Sequence, residues 1–103
     1  MVGTALAYEN LTMKEKHIED AAKAFGTQLR NLRLEVDLSQ EELAFRTGVS
    51  PNHIGYIERA ERNPKLDLIN KIAFALRVQP ATLFTTIEVP SDLDEHGERP
   101  TGQ

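Results

Sequence analysis

The stretch that most constrains this chain is Ser39 to Pro51, which punctuates two helices too short to be stable alone. Ser39-Gln40-Glu41-Glu42 has the form of a capping box, with the Ser39 hydroxyl accepting from the Glu42 amide and the Glu42 carboxylate returning to the Ser39 amide. A helix therefore starts at Gln40. Within two turns it meets Thr47-Gly48, where glycine takes the left-handed conformation that ends a helix. Ser50-Pro51 then opens another helix, Ser as cap and Pro at the first helical position, where its missing N–H costs nothing. Two short helices across a tight turn form a helix-turn-helix, and isolated helices of this length need tertiary packing to persist.

The flanking sequence supplies that packing. Ile18, Ala21, Ala22, Phe25, Leu29, Leu32 and Val36 recur at three- and four-residue steps and predict a first core helix from Ile18. Gly26 lies inside it, a cost of roughly 1 kcal/mol relative to Ala, so a start or kink is expected there. Asn63-Pro64 breaks the third helix, a fourth spans about Leu66 to Arg77, and Pro80 begins a last short turn through Leu83-Phe84. No strand is required. Residues 1–17 read as an N-terminal extension, of low order through residue 16, residues 18–87 as one helix-turn-helix domain, and residues 88–103, polar, acidic and rich in Pro and Gly, as a disordered tail.

Charge follows the same division. Residues 18–84 hold nine acids and nine bases, whereas 85–103 hold five acids against Arg99, so the formal net charge of -4 belongs to the tail. A neutral body lacks the broad basic footprint of many nucleic-acid binders, and any phosphate contact must come from a few well-placed groups. The absence of cysteine excludes disulfides and thiolate metal sites, and no signal or membrane-spanning stretch is visible, which leads to the expectation of a cytoplasmic protein without a membrane partner.

The third helix carries the candidate chemistry. At about 100° per residue from Pro51, Ile54 and Ile57 fall near 300° and 240° and face the core. The opposite side then holds Asn52, Gly55, Tyr56 and Arg59, with His53 on the flank. Asn bonds adenine bidentately in the major groove, Tyr and His reach bases or phosphates, and Gly permits close approach. A merely solvated polar face is the plainer alternative.

The run from Leu29 to Phe84 resembles the lambda-repressor/Cro (XRE-like) helix-turn-helix family, and most closely its restriction-modification controller proteins and phage-type repressors. The resemblance rests on Leu38-Ser39-Gln40-Glu41-Glu42-Leu43-Ala44, Gly48-Val49-Ser50, Ile54, Ile57-Glu58, Arg62-Asn63-Pro64 and Leu83-Phe84. It implies an all-α, compact five-helix bundle that binds a pseudo-palindromic DNA operator as a homodimer, the third helix entering the major groove. It also implies base reading by Asn52, His53 and Tyr56, backbone contact by Gln40, Ser50, Arg59, Arg62 and Asn63, and a structural ion pair between Arg33 and Glu58. Pro51 departs from the family, whose members often place a base-contacting Arg or Gln there. Arg77 replaces a usual Gly, and Lys65 a usual Ser or Thr cap.

The fourth helix is apolar over half its circumference, which suggests two buried surfaces, and with Phe74 apart from that arc it points to a dimer interface of Leu68, Ile72, Phe74, Leu83 and Phe84, the alternative being a slightly over-hydrophobic core helix. Phe45 lies on the polar side of the second helix without an assigned role. Glu41 and Glu42 are placed to touch RNA polymerase, although first-turn acids also complement the helix dipole without it. His17, His53 and His96 lack metal-ligand spacing, no cofactor motif is present, and the residues that would compose a hydrolytic triad, Ser50, His53 and Glu58, are better used as cap and ion pair. The reading is of a non-enzymatic DNA-binding regulator, the alternative being a protein-interaction or antitoxin-like module on the same fold.

Overall fold

The computed structural model describes residues 12–88; the first eleven residues and 89–103, which hold most of the expected extension and tail, lie outside the described residues. Four α-helices follow in order: α1 (Met13–Glu35), α2 (Gln40–Thr47), α3 (Pro51–Glu58) and α4 (Leu66–Leu76), closed by a 3-10 turn at Pro80–Phe84. No strand occurs among the described residues. Among the described residues, the expected five-helix bundle is thus corrected to four α-helices and a 3-10 turn. Pro80 at its start has no N–H to give, and the segment closes through i to i+3 bonds, Thr82 N to Gln79 O at 2.9 Å and Thr85 N to Thr82 O at 3.4 Å.

α1 begins five residues before Ile18. Thr12 and Glu15 form a complete capping box, each accepting from the other's backbone amide at 3.0 Å. The low order expected up to residue 16 is corrected accordingly for Thr12–Lys16. Ile18 itself is exposed, as is Val36, the residue that caps the end of α1. Ser39 caps α2 by accepting from Glu42 N at 2.9 Å, but the Glu42 side chain turns to Arg46 at 3.0 Å, so this capping box is half made.

Gly26 neither starts nor kinks α1. A Cβ there would lie 2.6 Å from the Ile57 carbonyl oxygen and closer still to that of Glu58. Glycine is needed because α1 crosses the end of α3 in backbone contact. That crossing brings the two charged residues Arg33 and Glu58 within reach of each other across the core.

The core gathers Phe25, Leu29, Leu43, Ile54, Ile57, Ile72, Leu76 and Leu83 from every element. Burying each large side chain contributes about 1.5–3 kcal/mol. α4 packs against α2 on one side and the 3-10 turn on the other, so both surfaces its apolar arc needs lie within this chain. Leu68, Ile72 and Leu83 are consequently buried in the monomer, and the expectation that they form an interface between copies is corrected.

All four helices end on a residue of positive φ: Asp37 at 59°, Gly48 at 79°, Ala60 at 62° and Arg77 at 63°. In each case the next amide bonds back to a carbonyl of the last turn, Leu38 N to Arg33 O, Val49 N to Ala44 O, Glu61 N to Tyr56 O and Val78 N to Ala73 O. This repeated Schellman-type ending satisfies terminal carbonyls, and glycine supplies it at only one of the four positions. For α3 the consequence is that the helix stops at Glu58, before Asn63-Pro64 could break it.

Candidate nucleic-acid interface

α3 is capped as its sequence dictates: Ser50 accepts from His53 N at 3.2 Å and Pro51 occupies the first position. Its inward face is fixed by Ile54 and Ile57, both essentially without solvent contact. Asn52 stands exposed at the first turn, His53 and Tyr56 are half-buried, and Arg59, Arg62 and Asn63 are exposed in and beyond the last turn. The structure therefore brings Asn52, His53, Tyr56 and Arg59 to one outward surface, with Arg62 and Asn63 continuing it into the loop.

Beneath that surface lies a buried polar network. Arg33 Nε donates to Glu58 Oε2 at 2.6 Å and Nη2 to Oε1 at 3.1 Å, a two-point fork, while Nη1 donates to the Leu38 carbonyl at 2.8 Å. Both side chains are nearly inaccessible. The ends of α1 and α3 are tied through charge-assisted bonds with few unsatisfied atoms. Gln40 joins it: Nε2 donates to Glu58 Oε1 at 2.9 Å, which fixes the amide at the start of α2 while leaving a second N–H to donate outward.

Tyr56 organises the cations. Arg59 Cζ lies 5.5 Å and Arg62 Cζ 5.1 Å from the ring centroid, both within cation–π range. Arg59 also meets Glu61, Nε to Oε2 at 3.2 Å and Nη2 to Oε1 at 3.3 Å. Donating to the Glu61 carboxylate raises the Arg59 pKa above its ordinary value, which favours the charged guanidinium.

Two lysines lie beside this surface. A cleft between the end of α2, α3 and α4 is bordered by His53, Asn63, Lys65 and Lys71, with Asp67 as its one acid. No side-chain cap forms at Lys65. The signal available in sequence is position: Lys65 follows Asn63-Pro64 directly and Lys71 comes six residues later, within α4.

The residues expected at an interface between copies separate clearly. Phe74 is 86% exposed, whereas Phe84 is partly covered by Phe25, ring centroids 5.0 Å apart. Phe45 is 83% exposed on α2.

The sequence profile of the family described as "Helix-turn-helix" matches residues 29–83, more than half of the chain. The chain belongs to the helix-turn-helix family. It is 48% identical over 66 residues to the control protein C.BamHI of Bacillus amyloliquefaciens, covering 61% of this chain and 82% of that one. It is 37% identical to the cryptic phage CTXphi transcriptional repressor RstR of Vibrio cholerae, covering 66% and 61% of the two chains. Among solved structures, the restriction-modification controller protein C.AhdI from Aeromonas hydrophila superposes with a TM-score of 0.60 at 44% identity, covering 61% of this chain and 96% of that one. The family is one of DNA-binding transcriptional regulators rather than enzymes, and this helix-turn-helix chain is a regulator of that kind. No helix among the described residues is long and apolar enough to cross a membrane.

Proposed function

We propose that this chain is a sequence-specific transcriptional regulator of the restriction-modification controller type, binding a pseudo-palindromic operator as a homodimer. The observation that carries the reading is the outward surface of α3, where Asn52, Tyr56 and two guanidiniums share one exposed patch on a helix anchored by Ile54 and Ile57. In this reading Asn52, His53 and Tyr56 read base edges in the major groove. Gln40, Ser50, Arg59, Arg62 and Asn63 hold the backbone, joined by Lys65 and Lys71. The likeness to C.BamHI and C.AhdI supports the controller class. Glu41, exposed on α2, is the group that would meet RNA polymerase beside an operator.

Homodimerisation is supported by the exposed rings of Phe74 on α4 and Phe84 in the closing turn. Sedimentation checks it: Phe74→Glu is expected to shift the protein toward monomer, and no shift removes Phe74 from the interface.

The deciding experiment is selection from a large pool of random duplexes at low salt, followed by titration at rising salt. Recovery of a two-fold site, with a logarithmic salt slope near -0.9 per neutralised phosphate, is expected. Failure to retain any duplex leaves the protein-interaction module, favoured then by exposed Phe45 and Phe74.

A further inference from the structure

Two of the exposed ion pairs differ in kind. Arg46 and Glu42 are one helical turn apart on α2, the ordinary neighbour spacing of a solvated helix. Arg59 and Glu61 are two residues apart, a spacing at which side chains on a helix do not meet. They meet because Ala60 between them adopts φ 62°, turning the chain back on itself at a conformation that L side chains rarely adopt. A strained residue thus presents Glu61 to Arg59.

The guanidinium so engaged sits on the proposed DNA-facing surface. One face lies over the Tyr56 ring, and Nη1 lies over Gly55, where a Cβ would stand only 3.0 Å away. The Gln40 amide reaches the same spot, 3.6 Å from that Cβ position. Arg59 and Gln40, from the end of α3 and the start of α2, therefore converge above the one residue of the helix without a side chain. Two carboxylate oxygens occupy two of the guanidinium donors, a geometry that the oxygens of a phosphodiester can adopt equally well. The pair is about half exposed on both sides, so its exchange requires little desolvation.

We propose that Glu61 is a built-in competitor for Arg59, its carboxylate holding in the free protein the guanidinium that a backbone phosphate takes on duplex binding. This rests on the DNA-binding reading above and deepens it. In a body whose charges balance, nine acids against nine bases over residues 18–84, one masked arginine is a sizeable share of the attraction to phosphate. Glu61 lowers affinity for all sequences alike and leaves base reading at Asn52 untouched, so discrimination forms a larger part of what remains.

The test is a double-mutant cycle in the full chain: wild type, Glu61→Gln, Arg59→Ala and the double variant, each titrated against a selected operator and a random duplex at several salt concentrations. Melting curves for all four establish equal folding, as expected for exposed positions. Glu61→Gln is expected to tighten binding to both duplexes by about two- to fivefold at low salt, a gain that shrinks as salt rises and vanishes in the Arg59→Ala background. An unchanged or weakened Glu61→Gln overturns the proposal, a weakened one by making Glu61 a positioner of Arg59. A gain that persists without Arg59 overturns it too, as general charge removal. If wild type binds no duplex, the DNA-binding reading fails and this falls with it; if wild type binds and Glu61→Gln is no tighter, this alone fails.

Discussion

Two Arg–Glu pairs share α3, with Glu58 and Arg59 adjacent in sequence, yet they perform different work. Arg33–Glu58 is buried, closes with two hydrogen bonds, and has its remaining atoms engaged by the Leu38 carbonyl and Gln40. Arg59–Glu61 is slightly longer, half exposed, and surrounded by water and an aromatic face. The same chemistry is permanent in one place and exchangeable in the other. Burial decides: a charge cut off from water cannot lose its partner without meeting a full desolvation penalty, whereas an exposed one trades carboxylate for water or phosphate at little cost.

The sharpest way to break this contrast is Glu58→Ala. It leaves Arg33 buried with only a carbonyl for company, and a loss of about 3–5 kcal/mol is expected in urea denaturation. Replacing both partners, Arg33→Met with Glu58→Leu, should recover much of that loss, because no uncompensated charge remains. Arg59→Ala, by comparison, should leave the denaturation midpoint where it was and weaken duplex binding. If Glu58→Ala costs no more than an ordinary surface substitution, the buried pair is not the fixed one.

Next in size is the division between reading and holding. Asn52→Ala should lower discrimination at one operator position by about 1–3 kcal/mol, seen as a relaxed preference in repeated selection. Gln40→Ala should weaken binding to all sequences alike, and because Gln40 also donates to Glu58 it should lower stability by about 1.5 kcal/mol. Gln40 spans both sides of the comparison, its amide fixed by the buried pair and turned toward the exposed surface. Equal effects of the two variants on every sequence would erase the division.

These contrasts were legible in sequence to different depths. The helix starts were plain at Ser39 and Ser50-Pro51, since capping is local chemistry that one or two side chains perform. The outward face of α3 followed from Ile54 and Ile57, which periodicity alone assigns to the core. Helix ends were far less visible. Only Gly48 announces itself, and Asp37, Ala60 and Arg77 take positive φ because packing and the backbone bonds beyond them outweigh an intrinsic preference. Thr12 with Glu15 is the same local capping chemistry, although no hydrophobic period accompanies it. Gly26 looked like a defect within one helix, and its reason lies in the Ile57 and Glu58 carbonyls, some thirty residues away. The breadth of α4's apolar arc is legible but what covers it is not, because sequence does not reveal that α2 and the closing turn flank it within the same chain. Glu61 was missed for the same reason as the helix ends: its meeting with Arg59 depends on the conformation of Ala60.

That dependence gives the smallest and most selective prediction. Ala60 at φ 62° carries about 1–2 kcal/mol of steric cost that glycine does not, offset in part by the roughly 0.5–1 kcal/mol that glycine loses in chain entropy. Ala60→Gly should therefore stabilise the fold by about 0.5–1 kcal/mol in denaturant, since Glu61 N to Tyr56 O and Ala60 N to Ile57 O are kept. The same change frees the chain between Arg59 and Glu61 to sample other turns, so the exposed pair should loosen while the buried one stays closed. Nuclear magnetic resonance separates the two: the Arg33 Nε–H signal should remain slow to exchange with solvent while that of Arg59 exchanges faster than in wild type. A destabilised Ala60→Gly, or one in which both arginines change together, would mean that the turn after α3 supports the buried pair as well, and that the two pairs are one network rather than two.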